Sequence, residues 1–74
     1  MEKFLIEKID EIAFTEVSLT DSLWESGVLD SITVVEFATE IEDEYNFKIP
    51  FDEIVVENFE TLDRVIQYIN KKQN

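Results

Sequence analysis

The chain contains no cysteine and no histidine. The first absence excludes disulfides and thiolate metal sites. The second removes the side chain most often used as a general base near neutral pH. There is one glycine and one proline in 74 residues, so tight turns are scarce, which argues against an all-β fold. No apolar run approaches the roughly 20 residues of a membrane-spanning helix, so bilayer insertion is not expected. Met1-Glu2-Lys3-Phe4 opens a stretch too short in apolar residues for a secretory signal, and the expected location is the cytoplasm. Cations are also few: 6 Lys and Arg stand against 18 Asp and Glu, for a net charge of −12. That balance argues against nucleic-acid partners and anionic membranes, both of which need clustered Lys and Arg. It favours partner proteins with basic patches, chiefly by raising their association rates.

What remains is enough for one small domain, taken as residues 1–74 and expected to be a monomer. Hydrophobic residues make up 45% of the chain and include six Phe, so side-chain packing alone must supply the core. Leu5, Ile9, Ile12 and Ala13 recur at helical spacing and predict a first helix over 3–14, its buried stripe widened by Ile6 and Phe14. Residues 15–30 lack a sustained period and read as a long loop pinned by Val17, Leu19, Leu23 and Trp24. Within it, Ser22-Leu23-Trp24-Glu25 matches a capping box and predicts one helical turn, and Gly27 is expected at positive φ or at a close backbone approach.

A second helix is predicted over 31–45, capped by Asp30. Val34, Phe37, Ala38, Ile41 and Tyr45 share its core face, and Ile32, Val35, Glu36, Thr39 and Asp43 share the opposite one. The carboxylates of the Glu40–Glu44 run read mostly as a solvated helix face. Asn46 is expected to end this helix in the left-handed region, and Pro50 to hold Ile49 extended. A short third helix at 51–56, burying Phe51, Ile54 and Val55, and a last helix at 61–72 capped by Asn58 or Thr61 complete the set. The expected fold is all-α: a small four-helix bundle with three main helices, one short third helix and a long first loop.

The chemistry is narrow. Ser31 lies at the start of the second helix with no evident base to take its proton, so a hydrolase reading lacks its second member. No calcium loop, phosphate loop or zinc spacing is present, and neither a catalytic residue nor a metal ligand is assigned. On residue types alone, Asp30-Ser31 is capping chemistry, compatible with an acidic helical interaction module that carries no modification.

The surrounding blocks add a resemblance. Asp21-Ser22-Leu23-Trp24-Glu25-Ser26-Gly27-Val28-Leu29-Asp30-Ser31-Ile32-Thr33-Val34-Val35-Glu36-Phe37 is similar to the acyl carrier protein family. So are the helix-two stretch from Glu36 to Pro50 and the tail from Asn58 to Ile69, which extend the resemblance over nearly the whole chain. The resemblance implies that Ser31 carries 4′-phosphopantetheine through a phosphodiester and that Asp30 is the acid read by the modifying transferase. Ile32, Val35 and Glu36 would form the partner-facing part of the recognition helix, extended by Thr39 and Asp43. It further implies a non-enzymatic carrier that holds an acyl or aminoacyl group as a thioester for fatty-acid, polyketide or other acyl-transfer pathways. Its partners would be a phosphopantetheinyl transferase and acyl-activating ligases or synthases with basic docking patches. The arm's phosphate would lie at the N-terminus of helix two, where unpaired N–H groups favour an anion. The Gly-x-x-Asp-Ser spacing resembles D-alanyl carrier proteins and stand-alone carriers that work beside AMP-forming ligases, since fatty-acid-synthesis carriers have one residue fewer there. The end of the chain is more similar to ordinary acyl carriers.

Overall fold

The computed structural model describes residues 1–73 and contains four α-helices: α1 (Glu2–Ala13), α2 (Thr33–Tyr45), α3 (Val56–Phe59) and α4 (Leu62–Gln73). α1 packs against α2 and α4, and α3 packs against α4, around one core. The core stripes follow the helical period: Leu5 and Ile9 from α1, Val34, Phe37, Ala38 and Ile41 from α2, and Leu62, Val65, Tyr68 and Ile69 from α4. Tyr45, Ile12, Ala13 and Ile66 are half-buried at the margin. Tyr45 meets the Phe4 ring edge to face at 5.7 Å, which closes the far end of the α1–α2 contact.

The long first loop is a structural element in its own right. The Leu23 amide donates to the Glu60 carbonyl at 2.8 Å, the Asp63 amide to Leu19 at 3.1 Å, and the Trp24 indole N–H to the Phe59 carbonyl at 3.1 Å. These bonds tie the loop to the α3–α4 junction, and buried Leu23, Val28 and Leu29 fill the space beneath it. Ser22 accepts the Glu25 amide at 3.3 Å, so the predicted turn forms with half of the capping box. Gly27 has φ +80°, and a Cβ placed there would touch nothing within 4 Å. Its role is therefore conformational and not one of close approach.

Two expectations fail for identifiable reasons, and one acid departs from its neighbours. Phe14 does not widen the core stripe: it ends α1 in the left-handed region (φ 54°, ψ 38°) and its side chain is 89% exposed. No glycine or asparagine is available to cap α1, so the residue that continues the apolar period takes the turn and swings outward. The short third helix lies at 56–59 and not 51–56, because Val55 is extended and splits that segment. A 3₁₀ turn covers Phe51–Glu53, leaving Phe51 and Val55 exposed while Ile54 packs on the core. Glu42 is not a purely solvated acid, since its Oε2 accepts the Ile49 amide at 2.7 Å and pins the extended segment after α2.

The remaining ends behave as their residues dictate. Asn46 adopts φ 56°, and the Thr61 hydroxyl accepts the Arg64 amide at 3.2 Å, making Thr61 and not Asn58 the cap of α4. The 3₁₀ turn is fastened to α4 through Glu53, which accepts the Tyr68 hydroxyl at 2.6 Å and pairs with Lys72 at 2.8 Å. Lys72 and Tyr68 together hold the Glu53 carboxyl below the usual carboxylate range.

Candidate functional site

The turn from Gly27 to Thr33 delivers a serine hydroxyl to the mouth of α2. Val28 and Leu29 are buried, and the Leu29 amide donates to the Leu23 carbonyl at 2.8 Å, so the backbone before Ser31 is held from below. Asp30 then starts the helix. Its carbonyl accepts the Val34 amide at 3.0 Å, the first helical bond, although regular helix begins at Thr33. Its Oδ1 accepts the Ile32 and Thr33 amides, each at 2.8 Å, and the Thr33 hydroxyl at 3.1 Å. In return the Asp30 amide donates to Thr33 Oγ1 at 2.8 Å. This is a reciprocal box with Thr33 in the place where Glu or Gln is more usual. The Thr33 hydroxyl also lies 3.5 Å from the Val28 carbonyl, within donating distance of the preceding loop.

Thr33 carries no role in the sequence reading, yet the Asp-x-x-Thr spacing of Asp30 and Thr33 is the signal that identifies it. The amides of Thr33 and Ile32 and the Thr33 hydroxyl hold the Asp30 carboxyl below the usual carboxylate range. A carboxylate so committed is a poor proton acceptor. Ser31 itself is exposed, and its hydroxyl makes no hydrogen bond among the described residues. The group is therefore unactivated but open to an enzyme that brings its own base.

One expectation about this end is corrected. The first amides of α2 are not free to bind an anion: Asp30 takes those of Ile32 and Thr33, and the Ile32 carbonyl takes those of Val35 and Glu36 at 3.2 and 3.3 Å. A phosphate on Ser31 would meet the helix dipole but also a neighbouring carboxylate. The amides of Ile32, Thr33, Val35 and Glu36 therefore do not supply a cradle for it.

The remaining site residues from the sequence share one surface. Ile32, just before α2, and Val35, Glu36, Thr39 and Asp43 on it are all exposed, with Ile32 at 70%. The Thr39 hydroxyl turns back to the Val35 carbonyl at 2.9 Å, so its methyl group contributes to the outer face. Asp30 is exposed beside them but turns Oδ1 into the helix end. Among the described residues no cluster of side chains has the makings of a metal site, and no helix is long and apolar enough to cross a membrane.

Residues 4–69 match the family described as "Phosphopantetheine attachment site". The D-alanyl carrier proteins of Streptococcus pyogenes serotype M5 (strain Manfredo) and serotype M1 are each 30% identical to this chain over 76 aligned positions. The alignments cover 100% of this chain and 96% of each relative.

Proposed function

This chain belongs to the acyl carrier protein family, whose attachment site takes 4′-phosphopantetheine covalently, and we propose that Ser31 is the residue that receives it. The observation that carries the assignment is the exposed, unengaged Ser31 hydroxyl held at the mouth of α2 by the Asp30–Thr33 box. Modification is a phosphoryl transfer from coenzyme A. The Ser31 oxygen bonds to the phosphorus that bears the pantetheine, the pyrophosphate linkage breaks, 3′,5′-ADP leaves, and the serine proton passes to a base on the transferase. The bound arm supplies a terminal thiol, which this cysteine-free chain lacks, to hold an acyl or aminoacyl group as a thioester.

The chain's own residues do the rest. Asp30 and Thr33 fix the attachment point, and the outward face of α2 presents Ile32 and Val35 among Glu36 and Asp43 for partners with basic patches. No step of the acyl chemistry is assigned to the chain itself, because Ser31 has no general base beside it. Intact-mass measurement tests the assignment. Native chain incubated with coenzyme A and a phosphopantetheinyl transferase is expected to gain about a third of a kilodalton, and Ser31→Ala to gain nothing. An undiminished gain in Ser31→Ala would refute Ser31 as the anchor. Absence of any gain in the native chain would favour the unmodified interaction module instead.

The cargo is small in the reading we favour, and a D-alanyl group is the leading case. The Gly27-x-x-Asp30-Ser31 spacing and the D-alanyl carrier relatives support it. So does the packing between α2 and α3, where the fully buried rings of Phe37 and Phe59 meet edge to face at 6.4 Å. An alkyl chain entering between these two rings would have to displace one of them from its buried position. Loading the arm with an octanoyl group is expected to leave the NMR shifts of Phe37 and Phe59 as they are with a D-alanyl group. Large octanoyl-specific shifts at both rings would show a chain inserted between α2 and α3 and overturn the small-cargo reading.

A further inference from the structure

The residue least explained by folding is Phe14. Its backbone occupies the left-handed region, which disfavours a side chain with a Cβ, and its ring is 89% exposed. Glycine or asparagine would relieve the first condition and a polar residue the second. The ring does not stand alone. It lines a depression of about 600 Å³ between α1 and α2, together with Ile12 at the end of α1 and Val35 and Thr39 on the outer face of α2. The rim is acidic: Glu11, Glu36 and Glu40 stand against one ammonium, that of Lys8. Lys8 is already paired with Glu11 and Glu40, each at 3.4 Å. Nothing of positive charge on this rim is left uncommitted, so the depression is an apolar seat with a net negative border.

Its place relative to Ser31 narrows the occupant. Val35 follows Ser31 by four residues, about 6 Å along a helix axis. Enzymes that act on the thiol at the end of the arm reach it from a distance. The enzyme that installs the arm has no such freedom, because its reacting phosphorus must touch the Ser31 oxygen itself. Its body therefore covers the first turns of α2 and the depression beside them.

Resting on the carrier reading above, we propose that the Phe14–Ile12–Val35 depression is a docking seat for the phosphopantetheinyl transferase. It receives an aliphatic or aromatic side chain that the transferase carries between Lys or Arg residues. The basic flanks meet Glu11, Glu36 and Glu40, and the apolar anchor packs on Phe14 and Val35. The seat adds a contact on α1 to the α2 face that the sequence assigns to partners, and it fixes the rotation of the enzyme about Ser31.

Steady-state modification of the apo chain by a broad-specificity phosphopantetheinyl transferase with coenzyme A, followed by intact mass, tests the proposal. Phe14→Asn suits the left-handed backbone, so its melting temperature should equal or exceed the native one. Its KM for the carrier is expected to rise about tenfold with kcat nearly unchanged, the pattern of lost uniform binding. Val35→Ser should raise KM in the same direction, and Phe14→Leu, which keeps an apolar anchor, should stay close to native. A KM for Phe14→Asn within about twofold of native, with Ser31 still gaining its full mass, overturns the seat and leaves the carrier reading intact. Equal losses in Phe14→Leu and Phe14→Asn also overturn it, since an apolar anchor would then not be what is read. No mass gain in the native chain removes the carrier reading and the seat with it.

Discussion

Phe59→Ala is expected to leave the chain largely unfolded at physiological temperature, whereas Phe51→Ala, eight residues away, is expected to be nearly silent. Phe59 is fully buried, its ring meets Phe37 at 6.4 Å and Tyr68 at 6.1 Å, and its carbonyl accepts the Trp24 indole. It is thus the point where α2, α3, α4 and the long loop join. Removing a buried phenyl ring costs about 3–5 kcal/mol, and a single core of this size rarely supplies more than about that much net stability. Phe51 sits in the 3₁₀ turn at 83% exposure, where truncation changes stability by less than about 0.5 kcal/mol. Urea titration followed by far-UV circular dichroism checks both. Similar midpoints for the two variants would show that the Phe37–Phe59–Tyr68 cluster is not the keystone of the fold.

Asp30→Ala and Asp30→Asn are expected to separate the structural duty of this residue from its recognition by the transferase. Alanine forfeits the bonds to the Ile32 and Thr33 amides and to the Thr33 hydroxyl, freeing the mouth of α2. A drop in melting temperature on the order of 5 °C is expected, with weaker hydrogen-exchange protection from Ile32 to Val34. Asparagine caps about as well as aspartate, so Asp30→Asn should melt near the native temperature. If the transferase reads the charge, modification of the asparagine variant is slow in a chain that is otherwise intact. Native-like modification rates in Asp30→Asn would restrict Asp30 to capping.

The same carboxylate gives the site a defined acid response. Its folded pKa lies below the ordinary aspartate value, so its contribution to stability is complete above that ordinary value. The contribution is lost as pH falls through the depressed folded value, and Glu53, lowered by Lys72 and Tyr68, loses its share in the same direction. At neutral pH both contributions are fully in force.

How far residues alone could be read depends on whether a feature is local. Helix periods, the capping role of Asp30, the left-handed Asn46 and the positive φ of Gly27 are set by neighbours within a turn or two, and each lies where its spacing predicts. The outer face of α2 was legible for the same reason, since 100° per residue sorts Ile32 and Val35 from Val34 and Phe37 whatever else the chain does. Phe14 and Phe51 were not distinguishable from core residues in that way. Each is an apolar residue near the end of a short segment, and burial there follows from where the chain turns, which a hydrophobic period does not encode. The first loop tells the same story. Its apolar residues announce that it is pinned, but its hydrogen bonds run to Glu60, Phe59 and from Asp63, some forty residues downstream of Leu19–Trp24, and such partners are chosen only when the helices have packed. The depression beside Phe14 belongs to that second class, because it depends on how α1 and α2 pack, which periodicity leaves free, whereas the amides at the start of α2 are taken by the local cap on Asp30.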